Sequence, residues 1–280
     1  MRWKGRRQSS NVEDRRGRTT KGVVGGGIGT IIIALAIYFL GGDPTPILEN
    51  AQLSTAQTGA PYQETAEEKE LAQFVSVVLA ETEDVWTELL RREGLEYQYP
   101  ALVLYSGSVQ SACGLSGAAT GPFYCPGDHK VYIDLSFYDE LQQRFKAPGD
   151  FAMAYVIAHE VGHHVQTLLG VMEKVMALRS RLSEKEFNQY LVRLELQADY
   201  LAGVWAHHAK RMNLLDEGDL DEAINAASAV GDDRIQKSMQ GYVVPDSFTH
   251  GTSEQRKQWF YKGFRAGDLS GWNTFQEGNL

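Results

Sequence analysis

Three of the chain's seven histidines fall within AHEVGHH, residues 158–164. Positions four apart share a helix face, so His159 and His163 can offer two imidazoles to one metal ion. Glu160, beside them, is within reach of a water activated by that ion. A catalytic zinc takes three protein ligands and keeps a fourth position open, so this HExxH pattern needs one more donor from elsewhere. RLELQADYLAG, residues 193–203, supplies it in Glu195. Asp199, four residues on, is placed to accept a hydrogen bond from the outer nitrogen of a zinc-binding histidine and so fix its tautomer. An acidic pair at this spacing is ordinarily a solvated helix face, but Leu194, Leu196, Leu201 and Val204 make this helix largely apolar and favour its burial. The chemistry to expect is a single zinc ion held by His159, His163 and Glu195, with Glu160 as general base.

The remaining histidines divide by position. His164 points about 100° away from His163 on a helix and reads as a hydrogen-bonded or core residue. His207 and His208 read as structural. His250, in THGTSEQR just ahead of a helix cap, can reach the site from a loop and is a candidate stabiliser of the transition state's oxyanion. Tyr155 and Tyr200 are further candidates for that role, and nothing in the sequence selects between them.

These groups must be positioned by helices. Residues from Thr65 carry an N-cap, early acidic residues, helical apolar spacing and a terminating Gly94. ALVLYSG at 101–107 and KVYIDLSF at 130–137 read as strands. Asp150 opens the helix bearing HExxH, which ends at Gly170; Gly162 within it allows close approach of another backbone or a substrate. Ser183 and Glu186 form a capping-box pair opening the helix that bears Glu195, and it runs to about Lys210. DEGDLDEAINAASAVGDDRIQKSM holds one or two more helices, and residues 252–267 another. The order implies an α+β fold, mostly helical, with a small N-terminal sheet.

The net charge of −9 hides an asymmetry: residues 1–21 hold eight basic side chains against two acidic ones. Residues 22–42, GVVGGGIGTIIIALAIYFLGG, carry no charge and are long enough to cross a bilayer as a helix. By the positive-inside rule, residues 1–21 are expected to be a cytosolic arm, 22–42 one transmembrane helix, 43–64 a linker and 65–280 a folded domain outside the cytosol. A cleaved signal peptide is the competing reading; the span is longer than its usual apolar core. An acidic folded domain argues against a nucleic-acid partner. Cys113 and Cys125 close a short Gly-rich loop, and in an oxidising compartment they are expected to form a disulfide, worth about 3 kcal/mol in the loop-entropy picture. A metal site from Cys113, Cys125 and His129 lacks ligand spacing.

AHEVGHHVQ together with ELQAD resembles the putative neutral zinc metallopeptidase family of bacterial membrane proteins, and the likeness runs from MRWKGRRQSSNVEDRRG to the end of the chain. More distantly, HExxH with ExxAD is similar to zincin peptidases of the CAAX-protease and heat-shock-protease group. This resemblance implies a zincin-like domain, His159, His163 and Glu195 as zinc ligands, Glu160 as the base, and a place in the bacterial inner membrane with the domain in the periplasm. The expected activity is hydrolysis of a peptide or protein substrate by a membrane-anchored enzyme, residues 22–42 contacting lipid. Zincin likeness also suggests that KVYIDLSF is an edge along which an extended peptide pairs; its alternative is an interior strand. The rival functional reading is a membrane-tethered zinc-binding scaffold or chaperone-like protein without turnover. The intact Glu160 tells against it, since a structural zinc site has no use for a base.

Overall fold

A computed structural model describes residues 1–17, 62–117 and 120–276. The chain divides into a domain made of residues 1–14 and 66–280 and a second unit, residues 15–65. The expected span, residues 22–42, and nearly all of the linker lie outside the described residues. Among the described residues no helix is long and apolar enough to cross a membrane.

The domain is α+β, and helices predominate. β1 (Val12–Asp14), β2 (Ala101–Tyr105), β6 (Lys130–Asp134) and β5 (Phe123–Cys125) lie in that order in one sheet. The first three are parallel, and β5 runs antiparallel to β6. β3 (Ser108–Ser111) and β4 (Gly114–Gly117) form a separate hairpin, and a Cys113–Cys125 disulfide joins its turn to β5. Leu102, Leu104, Val131 and Ile133 point into the main core, as expected for strands covered by helices.

Two expectations need correction. KVYIDLSF contains β6, which lies between β2 and β5 and is therefore interior, and its last residues turn into helix α2 (Phe137–Gln143). The edge is β5. The basic arm, moreover, is not separate from the domain: Val12 to Asp14 pair with Leu102 to Leu104 as strand β1. Its basic side chains meet acidic partners on helix α1 (Ala66–Arg92), Arg6 lying 3.0 Å from Glu81 and Arg7 3.0 Å from Glu83. Glu83 is buried at 1% exposure and also accepts from Ser9 and Asn11. Burying a carboxylate demands such partners. The Met1 amine reaches Asp150 at 3.0 Å and Asp219 at 3.3 Å, so this acidic group already holds a cation.

Helix α3 (Asp150–Leu168) is buried from Phe151 to Gln166, which explains why its sequence is apolar on every side. It packs against α5 (Glu184–Arg211), whose Ser183–Glu186 capping box is formed in both directions. Between them lie only the short α4 (Val171–Met176) and a turn. Then come α6 (Asp219–Ala229), α7 (Asp232–Gln240) and α8 (Ser253–Ala266), the last opened by a Thr252–Gln255 capping box.

Glycines set how closely these helices approach. A Cβ on Gly162 would lie 3.1 Å from the carbonyl oxygen of Ala198 on α5. A Cβ on Gly203 of α5 would overlap the Phe260 carbonyl of α8, and one on Gly263 of α8 would overlap the Tyr200 carbonyl of α5. Because both obstacles are backbone, no rotamer change relieves them. Gly203→Ala is therefore expected to destabilise the domain by about 3 kcal/mol, the upper end for overpacking. Urea denaturation of the two proteins measures this, and an unchanged midpoint would show that α5 and α8 separate at no cost.

Candidate metal centre

α3 and α5 bring together residues that are 32 or more positions apart in the chain. His159 Nε2 lies 3.1 Å from Glu195 Oε2, and His163 Nε2 lies 3.3 Å from Glu195 Oε1. The two imidazole rings are 4.8 Å apart and nearly perpendicular, at 86°. One donor atom from each of His159, His163 and Glu195 falls within 4.8 Å of the others. Tetrahedral zinc with bonds near 2.0–2.2 Å has ligand-to-ligand edges of roughly 3.4 Å, so this donor set fits that ion.

The outer nitrogens fix which atom each ring presents. His159 Nδ1 donates to Asp199 Oδ1 at 2.9 Å, and His163 Nδ1 donates to Gln166 Oε1 at 2.8 Å. Both Nε2 atoms are thereby left for the metal. Gln166 is held in turn by donating to the Leu194 carbonyl at 2.7 Å and to Gln197 at 3.0 Å. Asp199 lies where the spacing of ELQAD suggested.

Arg256 was not visible as a site residue in the sequence. It reaches in from α8 at 3% exposure, donating from Nε to Asp199 Oδ2 at 2.8 Å and from Nη2 to Asp199 Oδ1 at 3.0 Å. This is a buried two-point clamp. Tyr155 donates to the same Asp199 Oδ1 at 2.5 Å, so its hydroxyl is engaged away from any substrate. Tyr200 bonds to the Asp268 carbonyl. The signal for Arg256 was its place three and four residues before Trp259 and Phe260, on the apolar face of α8, where a cation must find a buried anion.

Burial would raise the Asp199 carboxyl, but Arg256 and His159 outweigh it and hold it below the usual range. Glu195 is likewise held well below its usual range, against burial, chiefly by His163 and His250. Glu160 goes the other way: burial raises it despite the two neighbouring imidazoles and a hydrogen bond from the Tyr124 backbone of β5. A carboxyl raised in this way is a better proton acceptor at neutral pH.

His250 lines the same cleft, of about 540 Å³, as His159, Glu160, Glu195 and Arg256. Its Nδ1 lies 3.2 Å from Asp232 Oδ1. The other Asp232 oxygen accepts from the backbone N–H groups of Thr249, His250 and Gly251. Asp232 thus fixes both the loop and the ring. The other histidines lie apart from the donor set: His164 donates to the Gln98 carbonyl and accepts from Tyr124, and burial lowers its pKa to about 4. His207 and His208 bond to the carbonyls of Phe264 and Gly267.

Two outcomes follow from this geometry. Arg256→Met leaves Asp199 buried without its cation, and is expected to cost about 3–5 kcal/mol of stability and 10–100-fold in zinc affinity. Denaturation and zinc titration read these separately; lost stability with full affinity would make Arg256 a folding residue alone. Without metal, burial lowers the His159 pKa, but the Asp199 and Glu195 carboxylates outweigh this and raise it to about 10. A raised pKa stabilises the fold fully below the unfolded value of 6.5, and that contribution is lost as pH climbs to 10. The chelated protein is expected to lose denaturation midpoint over this range, while the zinc-loaded protein, whose imidazole cannot be protonated, shows no such loss.

Comparison with known proteins covers nearly the whole chain. The sequence model of the family described as "Putative neutral zinc metallopeptidase" matches residues 1–275. The uncharacterized protein YpfJ of Escherichia coli is 48% identical, the alignment covering 98% of this chain and 99% of that one. The uncharacterized protein Rv2575 of Mycobacterium tuberculosis is 37% identical, over 86% of this chain and 85% of that one. No solved structure matches.

Proposed function

Since the chain belongs to the putative neutral zinc metallopeptidase family, we propose that it hydrolyses peptide bonds at the cleft between β5 and α3, with His159, His163 and Glu195 holding one zinc ion. The observation that carries this reading is the convergence of two imidazole Nε2 atoms and one carboxylate at tetrahedral-edge distances, 3.1 and 3.3 Å, with a buried carboxyl next to them in sequence. Zinc bound there would supply Lewis acidity toward a carbonyl oxygen and lower the pKa of an attacking water to about 7.

The chain's own residues do the rest. Glu160 takes the proton of the attacking water and later delivers it to the leaving amine. His250, its Nδ1 committed to Asp232, can donate from Nε2 to the oxyanion in its protonated form as charge develops there. Gln166 and Asp199 keep His163 and His159 in the metal-binding tautomer throughout. β5 is the edge strand beside Glu160, and because the Tyr124 backbone N–H is held there by Glu160, an extended substrate adding along that edge would have to take over this contact. The disulfide between Cys113 and Cys125 supports an oxidising compartment such as the periplasm as the place of action.

Glu160→Gln is expected to keep one zinc per chain while lowering peptide hydrolysis by about 10²–10⁴-fold, the usual range for a general acid–base group. Metal analysis alongside cleavage of a quenched fluorescent peptide tests it. Turnover unchanged in a zinc-loaded variant would remove Glu160 from the mechanism.

A further inference from the structure

The domain contains its own N-terminal segment. β1 is laddered in register to β2, and the Lys130 ammonium of β6 pairs with Glu13. Lys4 meets Glu70 at 2.6 Å, and Arg2 meets Asp216 at 2.7 Å. The buried Glu83 draws its side-chain donors from Arg7, Ser9 and Asn11. Within the second unit there is an independent contact: Arg16 Nη2 lies 2.6 Å from Glu64 Oε1, and the guanidinium lies over the Tyr62 ring at 5.8 Å from its centroid. The residues before position 18 and those after position 61 therefore meet.

A chain that crosses a bilayer once leaves its flanks on opposite sides of roughly 30 Å of hydrocarbon. Flanks that share a β-ladder and an ion pair cannot be separated in that way. A returning crossing would need about 20 further apolar residues, and residues 43–61 include Asp43, Glu49, Pro44, Pro46 and Pro61. From these two contacts we infer that Met1–Arg16 and the catalytic domain occupy one compartment, so that the N-terminus lies on the active-site side of any membrane the protein meets. This replaces the single crossing expected from charge. The arm looked like a cytosolic flank because of its basic residues, and in the fold those residues are partners of domain carboxylates. Substrates must accordingly be reached from the side where the N-terminus is found.

Native lysines test this without a variant, and without reference to turnover. The Lys4 and Lys185 side chains are 75% and 60% exposed. Sealed spheroplasts producing the full chain are treated with a membrane-impermeant amine reagent, and each lysine's modification is mapped by mass spectrometry against a lysed, still folded sample. The two lysines are expected to behave alike, either both modified in sealed cells or both only after lysis. Modification of Lys185 in sealed cells with Lys4 reacting only after lysis, or the reverse, would overturn the inference.

Discussion

The close approach of two helix backbones is the constraint on which the site depends. α3 and α5 nearly touch where Gly162 faces the Ala198 carbonyl, so closely that even a methyl group there would crowd the backbone of α5. His163 and Asp199 directly follow the two contacting residues, and His159 and Glu195 lie three residues before them. Separating the helices by a methyl group's thickness would move the carboxylate away from both imidazoles at once. α8 then clamps the other side of α5 through Gly203 and Gly263, and carries Arg256 into the same region.

Charge explains why this packing is stable. Asp199, Glu195 and Glu160 are three carboxyls in a buried space, and burial alone disfavours every one of them as an anion. In the metal-free chain Arg256 and a protonated His159 answer Asp199, and His163 and His250 chiefly answer Glu195. A divalent ion in the proton's place would serve the same electrostatic need. Metal binding and folding would thus be coupled through one set of residues, with Asp199 and Gln166 orienting the two imidazoles.

Much of this was legible in the sequence because helical spacing is a local property. His159 with His163, Glu195 with Asp199, and the Ser183–Glu186 cap all follow from positions three or four apart, whatever the tertiary fold. What could not be read depends on contacts between distant segments. β1 is three residues inside a basic stretch, and its partner β2 lies about 90 positions away. The order of strands in a sheet is not the order in the chain, so nothing local corrected the zincin likeness that suggested KVYIDLSF as an edge, a place that β5, a shorter and weaker pattern, holds. Arg256 and Asp232 act on residues more than 15 positions away, and only a charged side chain on an apolar helix face hinted at the first. His250 was legible as a loop residue ahead of a cap; what orients it was not.

Zinc-edge X-ray absorption of the zinc-loaded full chain tests the central claim most directly, since it reports the atoms around the ion. Two imidazole nitrogens near 2.0–2.1 Å and a carboxylate oxygen near 2.0–2.2 Å, with the remaining position taken by solvent, are the expected first shell, and the carboxylate contribution should vanish in Glu195→Ala. A shell closed by four protein donors, or one unchanged when Glu195 is removed, would contradict the account.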